Sequence, residues 1–303
     1  MTRTSRRQTI LGGLAVALLG RSARSLGFGD APRRSGAPLI KAGIAAYSFR
    51  DRLTGKAQPT MDLADFIRDA AITGWDGVEL TSYYFPRNVT TKYLANLKRL
   101  CYLNAIHITS SSVGNVFTHP AGPARDREID KVRVGLRHAA TLGASGLRVF
   151  AGDPQSEQST ESAERCCIEC LSECVPTAAE TGVMLALENH GGIVAESSAL
   201  LRIIKAVDSP WLGANLDTGN FRTDDPYADI AAVAPYAITT HLKSEVVTRS
   251  GVHSPTDIQR IVRILTDHGY RGYLILEYEG KKPVEIEAPR ILAAIRSAIA
   301  ALT

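Results

Sequence analysis

Four residues of this chain carry side chains that a hard divalent cation prefers: Glu188, Asp217, His241 and Glu277. They lie 29, 24 and 36 residues apart, intervals that each fit one strand, one helix and the turns between them. Each stands at the polar end of an apolar run. The runs are Val183–Leu187, Leu212–Leu216, Ala237–Thr240 and Leu274–Leu276. Side chains alternate across a strand, so the adjacent Leu187, Leu216, Leu242 and Leu276 face one way and the four polar residues face the other. Three carboxylates converging without a positive partner repel one another, and burying them bare is costly. One bound divalent ion resolves both problems. Three oxygen ligands and one nitrogen, with room for substrate oxygens, favour Mn²⁺, with Mg²⁺, Co²⁺ and Zn²⁺ as alternatives. The opposing reading is four ordinary rim residues making local hydrogen bonds, and four in phase on consecutive strands argue against it.

The elements that must position these residues follow one pattern from residue 38 onward. Strands are expected at 40–48, 76–81, 104–110, 146–151, 183–189, 212–217, 237–243 and 272–278. Helices are expected at 61–73, 91–103, 124–142, 162–181, 197–208, 225–235, 255–268 and 286–302. Strands rich in Val, Ile and Leu suit a sheet covered on both faces. Strict alternation with helices implies parallel pairing and right-handed crossovers. Eight such units predict a single-domain (β/α)₈ TIM barrel over 38–303, with chemistry at the C-terminal ends of the strands. A doubly wound open sheet would carry a Gly-rich loop after its first strand, where Ser48-Phe49-Arg50 stands instead.

The first 37 residues read differently. Arg6-Arg7 precedes the modest apolar stretch Ile10–Gly20, the pattern of a twin-arginine export signal, and residues 21–37 read as a flexible tether. The implied partner is the Tat export machinery and the implied location periplasmic or extracytoplasmic, membrane-tethered if the signal is uncleaved. A basic N-terminal arm is the alternative. Residues 1–36 hold seven arginines and one aspartate, so the formal charge of +4 becomes −2 for the remainder. That balance argues against a nucleic-acid partner. Cys166, Cys170 and Cys174 recur every four residues within a helical pattern, as core residues do, with a disulfide or a metal site as alternatives.

The motifs Ala45-Ala46-Tyr47-Ser48-Phe49-Arg50, Gly77-Val78-Glu79-Leu80, Leu187-Glu188-Asn189-His190, Leu216-Asp217-Thr218-Gly219-Asn220, His241-Leu242-Lys243 and Leu276-Glu277 resemble the xylose-isomerase-like TIM barrel superfamily of sugar (phosphate) isomerases and epimerases. The resemblance covers about residues 40–300. It implies that Glu188, Asp217, His241 and Glu277 hold Mn²⁺, and that Glu188 and Glu277 also move the substrate proton. Asn220 replaces a histidine that binds substrate in the family's ketose 3-epimerases, and Val247 replaces an arginine, so the free-ketose specificity of those enzymes is not implied.

The expected reaction is proton abstraction beside a sugar carbonyl, with the metal stabilising the enediolate and the two glutamates working from different sides. His190, Lys243, Glu79, His107 and Asn220 are the expected substrate contacts. Tyr47 and Trp211 are expected in the core or as an apolar wall, and Lys281 and Lys282 as solvated lysines rather than phosphate ligands. The small-molecule partner is a sugar, keto-sugar or glycoside, and a homo-oligomer is left open. The rivals are a metal-dependent lyase or hydrolase of 3-keto-glycosides, a non-catalytic sugar-binding protein and, last, an abasic-site endonuclease.

Overall fold

Apolar strands alternate with amphipathic helices because each strand is covered on both sides. β2 (Gly77–Thr81), β4 (Gly146–Val149) and β6 (Leu212–Asp217) are buried along their whole length. A computed structural model describes residues 31, 32, 34–54 and 60–302. The twin-arginine segment and most of the expected tether lie outside these residues.

The remaining elements are β1 (Leu39–Ala45), α1 (Arg50–Thr54), α2 (Leu63–Thr73), α3 (Thr91–Leu103), β3 (His107–Ser112), α4 (Pro123–Leu142), α5 (Thr160–Thr181), β5 (Met184–Glu188), α6 (Ser197–Val207), α7 (Pro226–Val233), β7 (Ala237–Leu242), β8 (Glu245–Val247), β9 (His253–Pro255), α8 (Ile258–Asp267), β10 (Arg271–Leu276) and α9 (Val284–Ala300). Eight parallel strands close a barrel in the order β1-β10-β7-β6-β5-β4-β3-β2, with helices between successive strands. This is a (β/α)₈ TIM barrel. Short 3₁₀ turns follow β1, β2 and the β5 loop. Among the described residues no helix is long and apolar enough to cross a membrane.

Helix ends obey local chemistry. Asp62 and Asp65 form a reciprocal capping box at the start of α2. Gly182 ends α5 at φ +68°, a left-handed conformation that costs glycine little, and the chain turns directly into β5. Cys170 and Cys174 are fully buried on α5 as core residues, but Cys167 and not Cys166 completes that face, Cys166 being half-buried; all five cysteines are free thiols.

Two irregularities aim side chains at the site. The β2–β3 register shifts between Val78 and Glu79, so Glu79 faces Ser110. The β6–β7 register shifts between Ala214 and Asn215, setting Asn215 opposite Thr239 and Asp217 opposite His241. The antiparallel hairpin β8–β9, inserted between β7 and α8, was not expected. Its strands are three residues long and β9 is wholly exposed, too short and too polar to register as a period-two pattern.

Candidate metal centre

β5, β6 and β7 deliver Glu188, Asp217 and His241 at or one residue before their C-terminal ends, and Glu277 follows β10 directly. One ligand atom from each of the four lies within 4.8 Å of the other three, and all four residues are buried. The leucines beside them are buried on the opposite, helix-facing side.

Asp217 is held by its backbone and one oxygen. Its N–H donates to Asn189 Oδ1 (2.8 Å), its carbonyl accepts from Asn189 Nδ2 (2.9 Å), and Oδ1 accepts from the Gly219 N–H (2.8 Å). Oδ2 is buried with no hydrogen-bond partner. It faces Lys243 Nζ at 3.6 Å and His241 Nδ1 at 4.0 Å. A buried carboxylate oxygen left this way is costly unless a cation lies against it. Burial, then the neighbouring Glu188 and Glu277 charges, push the Asp217 carboxyl up to about 7 against the pull of Lys243.

His241 is oriented from behind. Nε2 lies 3.0 Å from Glu79 Oε2, and the same oxygen accepts from Ser110 Oγ at 2.9 Å. Asn215 Nδ2 lies 3.1 Å from His241 Nδ1. Donation of Nε2–H to Glu79 leaves the Nδ1 lone pair directed at the cluster, the carboxylate–histidine arrangement found behind metal ligands. Although burial alone would lower it, the Glu277 and Glu79 charges hold the imidazole well above its usual value.

The two glutamates have different surroundings. Glu188 Oε2 pairs with Arg148 Nε at 3.0 Å and accepts from Asn215 Nδ2 at 3.1 Å, while Oε1 accepts from Asn220 Nδ2 at 3.2 Å. Burial works to raise this carboxyl, and Arg148 overcomes it, leaving it below the usual range. Glu277 Oε2 accepts from Lys243 Nζ at 2.5 Å and lies 3.4 Å from His241 Nδ1. Against the same burial, His241 and Lys243 hold Glu277 well below the usual range. Lys243 also pairs with Glu279. Once a bound ion displaces the protons that His241 and Asp217 otherwise hold, the buried Glu79, Glu188, Asp217 and Glu277 exceed Arg148 and Lys243 by two negative charges. One divalent ion fills that deficit, so the donor set and the orphaned Asp217 Oδ2 both fit such an ion.

The other expected contacts separate. His190 and Asn220 line one cleft of about 460 Å³ beside the centre, His190 with its ring 4.4 Å from that of Phe150. Tyr47 sits on the rim after β1 under the Arg50 guanidinium. Lys243 points inward, and its described partners are Glu277, Glu279 and Asp217.

Two placements are corrections. Glu79 is fully buried behind His241 and supports that ring, out of reach of a substrate contact. His107 opens β3 at the opposite end of the barrel, exposed and stacked on Tyr273 at 5.4 Å. The strand was expected over 104–110, but it starts three residues later and Ser111 and Ser112 extend it. Ser110 and Ser111 donate their hydroxyls to Glu79 and to the Leu80 carbonyl. Trp211, expected in the core or as an apolar wall, precedes β6 at the far end and packs against the core.

Arg148 was missed. It is 2 % exposed on β4, and Nη1 donates to Tyr83 Oη (3.1 Å) and the Val113 carbonyl (3.0 Å). The available signal was a lone arginine inside the apolar strand Gly146-Leu147-Arg148-Val149.

The profile of the xylose isomerase-like TIM barrel family matches residues 67–301. Comparison with curated proteins finds no match. Among solved structures, a D-psicose 3-epimerase from Clostridium cellulolyticum H10, determined with D-tagatose, superposes with a TM-score of 0.71 at 17% identity over 85% of this chain and 99% of that one. A 3-keto-D-glucoside 4-epimerase from E. coli gives 0.64 at 17% identity over 86% and 99%. The IOLI protein, solved with a zinc atom, gives 0.64 at 16% identity over 86% and 96%. At these identities the likeness is one of fold.

Proposed function

The chain belongs to the xylose isomerase-like TIM barrel family, and from that premise we propose that it is a metal-dependent sugar isomerase or epimerase that moves a proton beside a carbonyl. One observation carries the reading: four ligand-type side chains converge on the C-terminal rim, with Asp217 Oδ2 lacking any hydrogen-bond partner. A divalent ion held there, Mn²⁺ on the chemistry of the donor set, supplies Lewis-acid polarisation of a sugar carbonyl and so acidifies the neighbouring C–H. Glu277 removes the proton, and Lys243, bonded to it, balances the charge that develops. Glu188, across the rim, takes up a proton from water and delivers it to the opposite face, and Glu277 releases its proton to water to reset the site. His190 and Asn220 orient sugar hydroxyls.

The test is proton NMR in D₂O on manganese-loaded protein with a panel of ketoses and keto-glycosides. Deuterium enters at the α-carbon with wild type, and Glu277→Gln lowers the rate by about 10²–10⁴. Sugar binding without any exchange would make the protein a non-catalytic binder.

Elimination from a keto-glycoside is the second reading, and the asymmetry of the glutamates favours it. Glu188 is held at both oxygens by Arg148, Asn215 and Asn220, whereas Lys243 and His241 meet Glu277 at Oε2 alone, leaving its Oε1 to take the proton. One base suffices when the α-proton is removed and the aglycone departs from the β-carbon with its bonding electrons. Aglycone release without an epimer would select it.

We propose export by the Tat pathway on the strength of Arg6-Arg7 and the apolar stretch that follows. Replacing both arginines by lysine should leave the protein in the cytoplasm, and unchanged export would remove the proposal.

A further inference from the structure

The hairpin β8–β9 is not used by the metal centre, yet it is tied firmly to the rim. Arg249, in the turn between its strands, donates its backbone N–H to the Thr223 carbonyl at 2.9 Å. Its guanidinium pairs with Glu196 at 3.0 Å and lies 3.7 Å from Asp224. The hairpin is thereby fastened to the loops that follow β5 and β6. Residues of these three segments line an open cleft of about 460 Å³, among them His190, Glu196, Asn220, Arg222 and Arg249. That size is within the roughly 300–1,000 Å³ of small-molecule sites. Asn220 links the cleft to the centre, since its amide donates to Glu188 Oε1 at 3.2 Å.

The lining selects the ligand. No aromatic or branched aliphatic side chain lines it, and its apolar surface comes from Gly191, Ala195 and the carbon stems of the polar residues, as suits the C–H face of a sugar ring. Glu196 and Asp224 already answer the charge of Arg249, so the wall lacks the paired free cations that a phosphate asks for. What remains is a mixed set of planar donors and acceptors: two guanidinium groups, an amide, an imidazole and a carboxylate. Such a set matches vicinal hydroxyls of a neutral sugar ring.

We propose that this cleft is a distal subsite for a second sugar ring, so that the substrate is a glycosylated sugar and not a free monosaccharide. The inference rests on the reading of the rim as a sugar-processing centre.

Calorimetry on manganese-loaded full-length protein tests it, with D-fructose and four fructoses bearing glucose at O3, O4, O5 or O6 (turanose, maltulose, leucrose and isomaltulose) as probes. At least one disaccharide should bind tenfold or more tightly than D-fructose. Arg222→Ala and Arg249→Gln should each erase most of that gain and leave D-fructose affinity unchanged. Thermal melting of both variants confirms that the fold is kept, and Arg222, being exposed, gives a variant that does not depend on hairpin integrity. D-Fructose binding that no glucosyl group improves, or a gain that neither variant reduces, overturns the subsite while leaving the metal centre standing. No binding of any of the five sugars to loaded protein overturns both.

Discussion

At Asp217 the two carboxylate oxygens have different surroundings, Oδ1 bonded to a backbone N–H and Oδ2 buried without a partner. The carboxyl is raised from its ordinary 3.8 to about 7, so below that pH it holds a proton that a cation must displace. Metal affinity should therefore increase as pH rises from about 5 to 7, with protons released on binding. Titration calorimetry in buffers of different ionisation enthalpy measures both, and pH-independent affinity would contradict the assignment. Asp217→Asn should weaken binding by more than the roughly 10–100-fold lost with a supporting residue. Arg148 makes a second prediction. Its pair with Glu188 is nearly dry on both sides, and removing one partner of such a pair costs about 3–5 kcal/mol. Arg148→Met should show that loss in urea unfolding, and a loss under about 1 kcal/mol would deny the pair its role. Asp217 was legible in the sequence as a polar residue ending an apolar run. The partner that clamps Glu188 was not, because pairing across β4 and β5 depends on register.

Elements bring these residues together through loops that approach closely. Gly219 lies where an added Cβ would sit 2.6 Å from Lys243 Cβ and 2.8 Å from the Glu245 carbonyl. Gly219→Ala must therefore push the loop after β6 away from β7. The expected cost is about 1–3 kcal/mol of stability together with weaker metal binding, read by chemical unfolding and calorimetry. An unchanged affinity would mean that the loop does not govern the site. Helix spacing was legible: α3 runs over 91–103 as the apolar period predicts, because an amphipathic helix writes its buried face every three to four residues. β3 was misread by two to three residues, since its serines gain their bonds from β2 only once the barrel has closed. The hairpin carries no periodic signal at all.

Over the whole molecule, a ligand that binds only the folded state stabilises it by mass action. At a hundredfold excess over Kd, manganese should add about 2.7 kcal/mol. For a domain of this size the melting temperature should rise by roughly 5–10 °C and fall again with a chelator. Differential scanning fluorimetry measures the change, and the Asp217→Asn variant should show none. The alternation of eight apolar strands with eight amphipathic helices, and four ligand-type residues in phase at strand ends, could be read from the chain alone. Both are periodic properties, and side-chain direction follows from them without knowledge of neighbours. Only the closed barrel decided which residues meet. It turned Glu79 into a support for His241, carried His107 to the opposite end, set Arg148 against Glu188 and brought Arg249 of the hairpin turn to the cleft. Those outcomes depend on register, bulges and loop contacts between residues far apart in sequence, and such contacts exist only after closure.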